Sequence, residues 1–229
     1  MMQLLYRNRF FLFPQLLFLL ISAVYLLLYS KPELHILINQ HHSDRFDAFF
    51  KFITNLGSGF LYIAGIIFLI NKKFKWFLVY TVAIAISNVT LIIFKQYILE
   101  ISYRPAWYFY VYENYRLHLV DGIIQHHLNS FPSGHTTTAF TVFLLIAISC
   151  RLNISKLFAF TVAILIAFSR VYLSQHFLGD IVAGSILGTG SIFLAYFIMS
   201  KFDKPWMQLK LFQIFFSKER KKAILTQKA

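Results

Sequence analysis

Three stretches of this chain, residues 10–29, 52–71 and 76–94, run without one charged side chain. At 1.5 Å of rise per residue, each is long enough as a helix to approach or cross about 30 Å of hydrocarbon. Backbone N–H and C=O groups find no water in that medium, so such runs must pair internally as helices. Three more apolar runs follow, residues 133–150, 157–173 and 177–200, and each holds an ionisable residue near one end: His135, Arg170 and Asp180. Composition agrees, with 58% hydrophobic and 14% charged residues, where soluble domains average about 45–50% and about 25%. The pattern predicts an all-α integral membrane bundle of six transmembrane helices in a single domain, residues 1–229. The first run reads as an anchor rather than a signal peptide, being long for an h-region with no small-residue cleavage site after it.

The segments between the runs refine this plan. Residues 30–51 place Asp44, Arg45, Asp47 and Lys51 beside Phe46, Phe49 and Phe50, which predicts an amphipathic helix lying in the interface after the first span. His41 and His42 read there as solvated surface histidines. Residues 96–132 form a long loop in which Trp107, Tyr108, Phe109, Tyr110, Tyr112 and Tyr115 crowd together. Aromatic rings favour the headgroup level, so this loop is expected to rim one face of the membrane. Gly184 and Gly188 have the spacing that lets helices approach closely, and read as packing. The tail, residues 201–229, is basic and partly amphipathic, with Lys218, Arg220, Lys221 and Lys222 clustered; it is expected on the membrane surface.

The net charge of +13 is spread between apolar runs rather than gathered as a nucleic-acid footprint. It therefore reads as orienting charge that meets anionic lipid. Six spans put both termini on one side, which then holds fifteen of the Lys and Arg residues against seven on the other. The positive-inside rule assigns that side to the cytoplasm, in a bacterium the inner face of the plasma membrane. The 96–132 loop and the start of the last span then share the outer face. Cys150 is the only cysteine, so an intrachain disulfide is impossible and a thiol metal site is not suggested.

The ionisable residues at the span ends carry the chemistry. Ionisable groups at membrane depth are expensive and point to function. His176 and Asp180 are four apart, so on a helix they share a face, and the carboxylate can fix the imidazole tautomer and leave one nitrogen free. Arg170 precedes His176 by six residues, about 240° around a continuous helix. The two converge only if the chain turns near residues 173–175. A structural ion pair at two helix ends is the competing reading. Pro132, Ser133, Gly134 and His135 open the fourth run: Ser133 suits an N-cap, Gly134 admits a group close to the backbone, and a helix N-terminus attracts anions. An ordinary capped helix would read the same way. Lys95 closes the third run and Arg104 precedes Pro105. Both suit phosphate oxygens, and both suit snorkelling to headgroups. No carboxylate cluster accompanies the histidines, so no metal or other cofactor is expected.

In combination these residues resemble the type-2 phosphatidic acid phosphatase superfamily, which also holds vanadium haloperoxidases and glucose-6-phosphatases. Its motifs are Lys-x6-Arg-Pro, Pro-Ser-Gly-His and Ser-Arg-x5-His-x3-Asp. The second matches in full at residues 132–135 and the third at 169–180, while eight residues rather than six separate Lys95 from Arg104. A bulge after the third span is expected to absorb the difference, because loop closure costs little more for a longer loop. The motif core is thus residues 95–180. The resemblance implies that His176 is a nucleophile, Asp180 its orienting partner, and His135 the general acid that protonates the leaving oxygen and then activates water. It assigns Lys95, Arg104, Ser133, Gly134 and Arg170 to the phosphate oxygens. It implies a metal-independent phosphatase acting on a membrane lipid: phosphatidate, phosphatidylglycerol phosphate, a polyprenyl diphosphate or the phosphates of lipid A. A lipid phosphotransferase and a soluble sugar-phosphate phosphatase are the enzymatic alternatives, and a lipid-binding or transport protein with a degenerate site the non-enzymatic one.

Overall fold

The first long helix of this protein turns polar residues inward and leaves most of its leucines outward. In the computed structural model, which describes residues 1–99, 101–202 and 204–216, a six-residue helix α1 (Met2–Arg7) leads into α2 (Arg9–Leu28). The buried residues of α2 are Phe11, Gln15 and Ser22, while Leu27 is 86% exposed. Gln15 Nε2 donates to the Ser185 carbonyl (3.2 Å) and to Thr189 Oγ1 (2.9 Å). Polar contacts thus face inward and bare leucines outward, an arrangement that suits lipid and would be a large exposed apolar patch in water.

Helix α3 (Lys31–Asn39) follows at once. Ser30 starts it: its N–H and hydroxyl both donate to Glu33 Oε2, at 2.8 and 2.6 Å. A new N-cap, Ser43, starts α4 (Asp44–Leu56), with Asp44 and Asp47 in the first turn where the helix dipole favours them. The single amphipathic helix expected over residues 30–51 is therefore two helices, because two cap sequences punctuate it. Helix α5 (Phe60–Leu69) continues from α4 after a 58° bend. The bend falls at Gly57, where any side chain would collide with Ile166.

Helix α6 (Phe74–Ile93) runs into a π-helical turn, Phe94–Ile98. Within the expected loop lies a further helix, α7 (Pro105–Tyr112), started by Pro105 in its first turn where proline is pre-set for a helix. Helices α8 (Gly134–Ser149), α9 (Asn153–Tyr172) and α10 (Leu178–Ser200) form the centre. A Cβ on Gly184 would come within 2.7 Å of the Ser133 carbonyl, and one on Gly188 within 2.5 Å of the Thr137 carbonyl. That is the close approach of α10 to α8 that the glycine spacing predicts.

Among the described residues, four helices are long and apolar enough to cross a membrane, or five if the bent α4–α5 pair counts as one span. Six were expected. The difference is α8, whose 16 residues give only about 24 Å; it is largely buried among its neighbours. Past α10 the chain folds back as a 3₁₀ turn (Pro205–Gln208) and α11 (Leu211–Phe216). Leu209 accepts from Phe74 N–H and Phe212 N–H donates to Ile70, so this part of the tail docks on α5 and α6. The expected cluster of Lys218, Arg220, Lys221 and Lys222 lies outside the described residues. Among the described residues, β pairing is limited to one isolated bridge between Lys73 and Lys210.

Candidate active site

The turn from α9 to α10 assembles the site. Ser174 takes a left-handed conformation with φ 53°, and the backbone N–H groups of Gln175 and His176 both donate to the Arg170 carbonyl, at 2.9 and 3.0 Å. Residues that a continuous helix would hold on different faces are thereby brought together, at the turn the sequence demands. His176 Nδ1 then lies 3.4 Å from Asp180 Oδ2, too loose to close a hydrogen bond. The pairing does not arise from a shared helical face, as the four-residue spacing suggests. His176 sits ahead of α10, and Asp180, in the first turn, reaches back to accept from Phe177 N–H at 2.9 Å. Ser130 Oγ, 2.5 Å from the same oxygen, fixes the carboxylate further.

Helix α8 brings the second half. Ser133 caps it, accepting from Thr136 N–H and Thr136 Oγ1 at 3.4 and 3.0 Å. Its own N–H donates to the Asp180 carbonyl at 3.1 Å, which ties the start of α8 to the start of α10. A side chain on Gly134 would meet nothing within 4 Å, so the N-terminal backbone of α8 faces open space. His135, one residue on, lies within electrostatic range of Arg170, His176, Arg104 and Lys95.

Three cations surround this pair. Arg170 is 7% exposed and donates through Nη1 to Thr54 Oγ1 of α4 at 2.6 Å. Its Nε is buried without a partner. Arg104, just before α7, donates through Nε to the Leu128 carbonyl at 3.0 Å. Lys95 is half-buried in the π-helical turn, within electrostatic range of Arg104, Asp180 and Arg170. A π turn fits one extra residue into a helix and so takes up one of the two residues added before Arg104.

Burial dominates the electrostatics. It pushes the His176 imidazole down to about 4, against the opposing pull of Asp180. His176 is thus neutral near pH 7, as a nucleophile must be. Burial also lowers the Arg104 guanidinium, with Asp180 opposing. Among the described residues, no group of three His, Cys, Asp or Glu side chains is placed to hold a metal ion. Neutral histidine, fixed cations and a helix N-terminus together can hold a tetrahedral oxyanion and attack its central atom.

A family model described as the PAP2 superfamily matches residues 76–204, more than half of the chain and every residue of this constellation. The chain belongs to the PAP2 superfamily. Phosphatidylglycerophosphatase B of Bacillus subtilis (strain 168) is 34% identical over 84 residues, which are 33% of this chain and 39% of that relative's length. Among solved structures, LpxE of Aquifex aeolicus matches with a TM-score of 0.63 and 28% identity, over 73% of this chain and 94% of that one. The transmembrane PAP2-type phosphatidylglycerolphosphate phosphatase of Bacillus subtilis shares the fold, with a TM-score of 0.59 at 20% identity, over 86% of this chain and 98% of its own.

Several residues outside the PAP2 motif positions hold this PAP2 site together and escape sequence reasoning. Gln175 is the foremost. Its Oε1 accepts from Arg104 Nη1 and from Arg170 Nη2, both at 3.3 Å. Its Nε2 donates to Gln125 Oε1 and to the Ile124 carbonyl, at 2.5 and 3.2 Å. One amide thus spans both guanidinium groups and ties them to the 96–132 loop. Thr54 and Ser130 act in the same way on Arg170 and Asp180. Lys31 lies over the Phe177 ring at 4.0 Å, and two cavities of about 280 and 340 Å³ both touch Lys31, Phe131 and Asp180. His35 is buried beside Ser174, Nε2 to Oγ 3.1 Å. Nothing in the spacing of Thr54 or His35 connects them with residues more than a hundred positions away. Of the other histidines, His118 pairs with Asp47 at 2.8 Å and stacks on His42, His127 stacks on Trp107 and its carbonyl accepts from Arg104 N–H at 2.9 Å, and His126 lies within electrostatic range of Arg104 and Arg170.

Proposed function

We propose that this PAP2 protein is a membrane lipid phosphatase that hydrolyses a phosphate or diphosphate ester through a phosphohistidine on His176, without a metal. The observation that carries this reading is the meeting of His176, Asp180, His135, Lys95, Arg104 and Arg170 at the N-terminus of α8. Asp180 faces Nδ1, so Nε2 is the attacking nitrogen. It bonds to phosphorus as the ester P–O bond breaks, and His135 gives a proton to the departing oxygen. Neutral His135 then takes a proton from water, which attacks the phosphohistidine and releases inorganic phosphate and His176. Lys95, Arg104, Arg170, Ser133 and the Gly134 N–H stabilise the phosphoryl oxygens, where phosphoryl transfer needs positioning and charge stabilisation most. The loose contact between His176 and Asp180 is expected to close when phosphate binds, as catalytic hydrogen bonds often do.

The name of the Bacillus relative, phosphatidylglycerophosphatase B, favours a glycerophosphate headgroup among the candidate substrates. The proposal takes α8 as a sixth, shielded crossing within one domain. It puts both termini in the cytoplasm and the site at the outer face, since fifteen of the basic residues then lie inside. The test is release of inorganic phosphate by purified protein in excess EDTA, from a panel of lipid phosphates and soluble sugar phosphates. The reading expects turnover of at least one lipid phosphate well above any sugar phosphate. Activity confined to soluble esters, or restored only by a divalent ion, contradicts it.

A further inference from the structure

The end of the bundle opposite the candidate site holds a cavity of about 710 Å³. It lies where α2 and α6 begin and α8 ends. Arg7, Lys72, Lys73, Arg151 and Lys210 line it, and among the described residues no Asp or Glu does. Some of these cations have local duties: Lys72 Nζ donates to the Ser149 carbonyl at 3.4 Å and Lys73 Nζ to Gln208 Oε1 at 2.9 Å. An ammonium has three donors, so each keeps capacity beyond those bonds. Orienting charge explains why cations gather at one end of a membrane protein. It does not explain why five surround one concavity, where like charges repel without a counterion.

Two buried polar atoms in the same lining are unsatisfied. Asn8 is 1% exposed; its Nδ2 donates to the Leu4 carbonyl at 2.8 Å, and its Oδ1 has no partner. The buried Ser149 Oγ also has none. Buried amide oxygens are rarely left so. Ser149 Oγ can donate to an anion, and Asn8 Oδ1 needs a donor, which a fully ionised phosphate ester lacks and a free hydroxyl supplies.

We propose that this cavity is a second anion site, taking a phosphate ester that carries a free hydroxyl: phosphate among the five cations, hydroxyl on Asn8 Oδ1. The source is either the headgroup of an anionic phospholipid or a soluble glycerol phosphate. Basic pockets between helix ends are suited to lipid headgroups, and Leu4, Trp76 and Ile148 give the cavity an apolar wall.

The experiment is thermal melting of the full chain in detergent with four probes: phosphatidylglycerol, phosphatidylcholine, glycerol 3-phosphate and propyl phosphate. Saturating phosphatidylglycerol is expected to raise Tm by about 4 °C or more over phosphatidylcholine. A rise with phosphatidylglycerol alone identifies the lipid source, and an equal rise with glycerol 3-phosphate the soluble one. The rise should vanish in Arg151→Gln/Lys210→Gln, whose side chains are exposed, survive in Arg151→Lys/Lys210→Arg, and survive in Arg104→Ala at the other end. It should also shrink with added salt, a measurement on the unaltered chain. No rise with either ester, a rise that outlives the double Gln substitution or is indifferent to salt, or one lost in Arg104→Ala overturns the proposal. Propyl phosphate, which lacks the free hydroxyl, matching glycerol 3-phosphate overturns the hydroxyl contact.

Discussion

The two ends of the helix bundle are both basic, and they are built differently. At the α9–α10 turn, Arg170 and Arg104 are buried or half-buried, share the Gln175 carboxamide, and face a carboxylate that pairs with a histidine. At the opposite end, five cations line a broad cavity that, among the described residues, no Asp or Glu lines. The first arrangement fixes charges at set positions around a neutral histidine, which is what stabilising a transition state requires. The second concentrates charge without fixing it, which suits binding of an anion and no chemistry. Charge count therefore says little about either end; the partners of each cation separate them.

The sharpest way to break this contrast is to remove the nucleophile. His176→Ala should lower kcat on the order of 10⁴-fold or more with the fold retained, measured as phosphate release and melting temperature. Wild-type turnover in that variant would reduce the α9–α10 end to a second anion-binding patch. Asp180→Asn should cost about 10³-fold in kcat with a smaller change in KM, since the side chain orients rather than binds. Near-normal kcat there would mean that the 3.4 Å contact carries no function.

The cations come next. Arg104→Ala and Lys95→Ala should each lower kcat/KM by about 10²-fold, the usual loss for one charge-stabilising group. Lys95→Arg should restore only part, because a guanidinium fork is not a point charge. If Arg104→Ala is crippled while Lys95→Ala is near normal, Lys95 is a membrane anchor at the rim. Gln175→Glu should be milder and informative: its carboxylate would hold both guanidinium groups and compete with phosphate. KM should then rise by about tenfold with kcat less affected, and Gln175→Ala should fall between this variant and wild type. Equal loss of kcat in both variants would make Gln175 a purely structural strut.

The reach of the sequence differs between these features for physical reasons. The apolar runs mark the helices because lipid demands about twenty uninterrupted residues of each. The motif residues stand out because ionisable groups are costly there. The bend at Gly57, the division of residues 30–51 into α3 and α4, and helix α7 are set by caps and close contacts that no apolar period reports. The same is true of α8, which is short because its neighbours, not lipid, surround it. The His176–Asp180 spacing reads correctly as proximity but for a different cause, a turn and a first-helical-turn carboxylate rather than a helix face. Gln175, Thr54, Ser130 and His35 enter through tertiary contacts alone.

The smallest expected effect concerns acid stability. Burial pushes both His35 and His176 down to about 4; Asp180 pulls both up, and Lys31 pushes His35 further down. An unfolded histidine titrates near about 6.5. Between these values the unfolded chain binds more protons than the folded one, so stability is full above about pH 6.5 and is lost as pH falls toward about 4. His35→Gln should flatten part of that decline in Tm between pH 7 and pH 5. An unchanged slope would mean that His35 titrates alike in the folded and unfolded chains.

The central claim is that His176 carries the phosphoryl group. Purified protein mixed with a lipid phosphate radiolabelled at phosphorus, then quenched within milliseconds in alkaline denaturant to preserve an acid-labile P–N bond, tests it directly. The account predicts label on the peptide containing His176, absent in His176→Ala and accumulating in a variant that slows water attack, such as His135→Ala with an activated leaving group. Turnover with no label on the protein at any time, or label that persists in His176→Ala, would contradict it.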